Sequence, residues 1–165
     1  MTIDFLKRLA WFLVFLFVQV VVLGRIHFFG VATPLLYVYF VLQFPRNHPK
    51  WASLLWAFAL GLTVDIFFNT PGLSAASLTC VAAIQPYYLE LLLPNDAFEQ
   101  LTPSAKTLGS IKYINYALPL VTLHSLIFFT LERFSFFNAT QWLLCVVGST
   151  LLTMILILTL ETLKK

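Results

Sequence analysis

Charge is what this chain lacks. Only 10% of its 165 residues are Asp, Glu, Lys or Arg, against about 25% in a soluble domain. With 60% hydrophobic residues, that scarcity excludes an ordinary water-soluble fold and leaves no room for a separate soluble domain. Cysteine is also scarce. Cys80 and Cys145 both fall inside apolar runs, so neither a disulfide framework nor a CxxC metal site is expected. The net charge of +3 is small and the basic residues are dispersed, which excludes nucleic acid as the implied partner. Catalytic motifs are missing as well: there is no HExxH, GxSxG or P-loop. His27, His48 and His124 lie in three different regions, without metal-ligand spacing. The expectation is therefore no enzyme activity, no cofactor and no metal.

What is present is a series of apolar runs, each about long enough to cross a bilayer as a helix. The spacing predicts an all-α membrane protein: one transmembrane domain over residues 1–165, a bundle of six transmembrane helices at about 9–24, 28–44, 51–68, 73–93, 113–131 and 141–163. A single helix over 9–44 would be about 54 Å long, well above the roughly 30 Å hydrocarbon core, so a break near Gly24 and Gly30 is required. The Lys7-Arg8 start resembles a signal peptide, but no Ala-x-Ala site follows, and the segment reads as a retained first helix. Orientation follows from the basic residues. Lys7, Arg8, Arg46, Lys50, Lys106, Lys112, Lys164 and Lys165 fall on one side and Arg25 and Arg133 on the other. Eight against two places both termini in the cytoplasm and the turn at residues 69–72 outside.

The stretch 51–83 carries the strongest pattern. Ser53, Ala57, Gly61 and Asp65 recur every four residues, forming one narrow stripe on a helix. Ala57 and Gly61 make a small-xxx-small pair that allows close helix approach. An Asn69-Thr70-Pro71-Gly72 turn follows, then a run of small residues from Ser74 to Ala83. Asp65 is an acid in the outer part of a span, which is costly and calls for a partner or a cavity. Arg25 and Arg133 are the basic residues on that side. The functional reading is an acid that docks a partner or coordinates a substrate; pairing with either arginine would fix the outer ends of the first, third and fifth helices for partner docking. An internal ion pair or a cap near the turn is the purely structural alternative. Gln19, Gln85 and His124 fall near mid-membrane depth, where interhelical hydrogen bonds or a shared polar cavity would account for them. The polar loop 94–112 reads as a solvated linker, or as a surface for a cytoplasmic partner or anionic lipid.

Small residues leading into GLTVDIFF and then NTPGLSAAS resemble the signature of the bacterial rod shape-determining protein MreD family. The matching positions are Gly61, Leu62, Asp65, Pro71, Gly72, Leu73 and Ala76. Thr33-Pro34-Leu35-Leu36-Tyr37 and Pro103-Ser104-x-Lys106-x-Leu108-Gly109 agree in order and spacing. The resemblance implies a non-enzymatic inner-membrane component of the elongation machinery, with MreC as direct partner. MreB, RodA and RodA's partner transpeptidase would belong to the larger complex. It also implies a fold like the substrate-binding subunit of energy-coupling-factor vitamin transporters, with both termini inside. That kinship supplies the rival expectation of a vitamin-binding subunit. Such subunits carry Ala-x-x-x-Ala in the first helix, whereas here Ala10 is followed by Val14.

Overall fold

The structure is a computed structural model that describes residues 2–23, 33–93, 101–132 and 139–164. The described chain is helical, without strands: α1 (Thr2–Phe17), α2 (Val38–Leu42), α3 (Lys50–Phe68), α4 (Leu73–Leu92), α5 (Ala105–Leu108), α6 (Ser110–Glu132) and α7 (Ala139–Leu163). One π-helical turn, Val18–Val22, continues α1. Among the described residues, four stretches are long and apolar enough to cross a membrane: Phe5–Val22 and helices α3, α6 and α7. Large apolar side chains such as Leu13, Phe17, Leu55, Ile66, Leu151 and Ile155 are exposed, as lipid-facing positions in a multi-pass membrane protein are.

Four of the six expected helices match closely at 51–68, 73–93, 113–131 and 141–163. Pro86 is carried inside α4 and Pro119 inside α6. The first begins earlier than expected, at Thr2, and its π turn ends at Val22. The second, expected at 28–44, is corrected. Residues 24–32 lie outside the described residues, and within 33–44 only Val38–Leu42 is α-helix. Pro34 provides the reason: it has no N–H of its own, and its ring disfavours the helical conformation at Thr33.

This short segment forms the centre of the bundle. Tyr37, Val38, Tyr39, Val41 and Leu42 are fully buried, and the segment packs against α4, α1, α3 and α6. A buried non-helical backbone must find partners for its polar groups, and the surrounding helices supply them. Ser149 Oγ accepts from Thr33 N–H and Thr153 Oγ1 from Leu35 N–H, both at 3.0 Å. Gln19 Nε2 donates to the Pro34 carbonyl at 2.9 Å. Tyr116 Oη donates to the Leu42 carbonyl at 3.1 Å, and Gln85 Nε2 to the Phe44 carbonyl at 3.3 Å and to Tyr116 Oη at 2.8 Å. His124 Nε2 meets Tyr37 Oη at 3.0 Å. The three mid-depth polar residues Gln19, Gln85 and His124 thus serve one central strut from three different helices. Thr153→Val keeps the shape but strands the Leu35 amide. It is expected to lower unfolding free energy by about 1–3 kcal/mol, read from unfolding in mixed micelles, and an unchanged midpoint would remove Thr153 from this role.

The strut also relates the two ends of the bundle. Thr33 lies in a cavity with Gln19, Thr70 and Ser74 at the hairpin end. Phe40 and Gln43 lie in another with Lys7, His48 and Lys164 at the opposite, basic end. At the basic end, His48 stacks on Phe44 with centroids 5.1 Å apart and its Nδ1 is 2.7 Å from Ser53 Oγ. Burial, and secondarily the Arg8 charge, hold His48 down to about 4 from 6.5. The unfolded chain therefore takes up a proton below pH 6.5 that the folded chain refuses until about pH 4. The His48 contribution to stability is complete above pH 6.5 and is lost as pH falls from there toward about 4. Thermal midpoints of wild type and His48→Gln across that range should converge with falling pH; parallel curves would sink the assignment.

Candidate functional site

The α3–α4 hairpin holds the residues that the sequence singled out. Ser53, Ala57, Leu60, Gly61, Val64 and Asp65 are the buried residues of α3, so the four-residue stripe is its inward face. At Gly61 the two backbones touch. A Cβ placed there would lie 2.5 Å from Ala75 Cα and 2.7 Å from both Ala75 N and the Ser74 carbonyl oxygen. Only glycine fits, because the obstacle is main chain that cannot rotate away.

The turn is built by backbone geometry. Asn69 ends α3 in the left-handed region (φ 55°) and Gly72 begins α4 with φ 83°. Pro71 occupies the turn between them and is exposed. A Gly N-cap has no side chain to satisfy the first amides of its helix. Asp65 performs that task from the preceding helix. Its Oδ1 accepts from Ser74 N–H at 2.9 Å and from Thr70 Oγ1 at 3.1 Å; its Oδ2 accepts from Ala75 N–H at 3.0 Å. Leu73 N–H goes to the Thr70 carbonyl and Ala76 N–H to the Gly72 carbonyl. Asp65 is 2% exposed, and its charge sits at the positive end of the α4 dipole, where a carboxylate is stabilised. The acid therefore clasps the hairpin, with three donors from the turn and α4. Arg25 and Arg133, the expected ion-pair partners, lie outside the described residues.

Sequence reasoning counted Asp65 as a possible cap but did not identify which amides it would serve. The signal was available: a helix opening at Gly72 without Ser, Thr, Asn or Asp at its N-cap needs an acceptor from elsewhere. The reading missed the donors Thr70 and Ser74 as partners. It also missed Ser149 and Thr153, whose role depends on the start of the strut, residues 33–35, being non-helical.

Beside the clasp lies a cavity of about 320 Å³, bordered by Gln19, Thr33, Tyr37, Thr70, Ser74 and Glu132. Gln19 is 1% exposed, and its Oε1 has no hydrogen-bond partner among the described residues. The site thus combines a rigid helical hairpin with a small pocket of mixed polarity. Comparison of the chain with protein-family models, curated proteins and solved structures returns no match.

Proposed function

We propose that this protein is a non-enzymatic membrane component of the bacterial cell-elongation machinery, resembling MreD, that helps direct lateral peptidoglycan synthesis by docking MreC. MreB, RodA and its partner transpeptidase would act in the larger complex. The observation that carries the reading is the clasped hairpin. The residues bearing the resemblance, Gly61 and Asp65, fasten α3 to α4 on one face of α3. The opposite face presents Leu55, Phe58, Leu62 and Ile66, each 42–71% exposed, at a spacing that forms one helical stripe. A rigid apolar stripe is what a partner's membrane helix can pack against. In this reading the strut is a second pass, giving six passes in the cytoplasmic membrane with both termini inside. Lys7 near one end of the chain and Lys164 near the other border the same basic-end cavity, which supports both termini lying on one side, as does the eight-to-two partition of basic residues.

The test is co-purification with MreC, alongside depletion of the protein in its host. Asp65→Asn and Gly61→Leu should weaken recovery of MreC, and depleted cells should become round. If both variants bind MreC and sustain rod shape, the hairpin has no docking role. The cavity near Gln19 favours a second reading, a small-molecule-binding subunit of a membrane transporter. Native mass spectrometry that finds a stoichiometric vitamin-like ligand, together with normal cell shape on depletion, would favour it over docking.

A further inference from the structure

The basic end holds a larger cavity, about 590 Å³, within the range of ligand pockets. Three cations border it: Lys7 and Arg8 from α1, and Lys164 beyond the end of α7. Aromatic faces hold two of them. Arg8 Cζ lies 5.7 Å from the Phe44 ring centroid, and Lys164 Nζ lies 4.7 Å from that of Trp11 and 5.1 Å from that of Tyr39. Among the described residues one carboxylate borders the cavity, Glu161, and its two oxygens accept from Tyr39 Oη and from Ala105 N–H. His48, also on the wall, is held neutral at pH 7. Among the described residues the wall therefore carries more positive than negative charge. Partial desolvation also pushes the Lys164 amine below its usual value, only partly offset by Glu161. An incoming anion would relieve that cost.

We propose that this cavity binds a phosphate-bearing anion, gripped by Lys7, Arg8 and Lys164. The cavity lies where α1 begins and α7 ends, between loops, at the level expected for lipid headgroups. Its wall mixes polar groups with Trp11, which suits the boundary between headgroup and acyl chain. The phosphate could belong to an anionic phospholipid or to a soluble phosphate ester. The inference uses the membrane location but not the docking role of the hairpin.

The test places the full chain in nanodiscs of phosphatidylcholine, with and without phosphatidylglycerol. Lys7 and Lys164 are then labelled with an amine acetylating reagent, with Lys106 and Lys112 as exposed references. Phosphatidylglycerol should slow acetylation of Lys7 and Lys164 by roughly an order of magnitude relative to the references. In phosphatidylcholine discs, added glycerol phosphate giving the same protection would identify a soluble source. Native mass spectrometry supplies the second arm. The Lys7→Gln/Lys164→Gln variant should lose preferential phosphatidylglycerol retention, while Lys106→Gln/Lys112→Gln, with the same charge change, should keep it. No selective protection from either phosphate source, or equal loss in both double variants, would overturn the proposal.

Discussion

Asp65→Ala is expected to lower the unfolding free energy by about 2–4 kcal/mol, one of the two largest effects in the molecule. Three hydrogen bonds to a carboxylate vanish together. The amides of Ser74 and Ala75, on residues buried to 2% exposure, are left without an acceptor, and an orphaned buried donor costs about 1–3 kcal/mol. The loss is smaller than the sum of the bonds because alanine also removes the cost of burying a carboxylate. Asp65→Asn should fall between wild type and Ala. It keeps one acceptor oxygen, but its amide nitrogen would face an N–H donor at the other position. Equilibrium unfolding in mixed micelles orders the three proteins, and hydrogen exchange at Ser74 and Ala75 localises the effect. If exchange there is unchanged in Asp65→Ala, the clasp does not hold the start of α4.

Gly61→Ala should be nearly as damaging, at about 1–3 kcal/mol, the usual cost of overpacking a tight core. In many sites such a change is neutral or helpful, because alanine favours helix over glycine by about 1 kcal/mol. Here the sign reverses, since the added methyl would meet the α4 main chain at 2.5 Å. A sharper expectation distinguishes backbone contact from side-chain crowding. Removing the Ala75 methyl in Gly61→Ala/Ala75→Gly should not rescue the single variant, because the clash is with Cα and N. Rescue to wild-type stability would mean that the helices adjust more freely than the contact implies. Gly61→Leu should separate α3 from α4 and lower the yield of folded protein.

Both effects arise from residues that were conspicuous in the sequence, and for a physical reason. A repeat of small residues every four positions has one use on a helix, which is close approach, and one acid in an apolar run must be satisfied. Ala57, Gly61 and Asp65 could therefore be placed on a common buried face before any coordinates. Their partners could not, because which amides need an acceptor depends on how the next helix starts. The central strut was the least legible element. Residues 33–44 are apolar enough to read as part of a spanning helix, and hydrophobicity alone does not distinguish a long helix from a short helix with non-helical ends buried on all sides. The hydroxyls of Ser149 and Thr153 look like ordinary polar residues in an apolar helix until the Thr33 and Leu35 amides are seen against them.

Composition and the spacing of small and breaking residues determined the presence of helices apolar enough to cross a membrane, four of the helix positions and the inward face of α3. Those properties follow from local hydrophobicity and helix periodicity, which any stretch of chain carries by itself. Only the tertiary structure decided that Asp65 caps α4, that Gly61 meets main chain, and that Gln19, Gln85 and His124 converge on one buried strut. Each of these depends on a hydrogen-bond donor or backbone brought from a distant part of the chain, which no local pattern encodes.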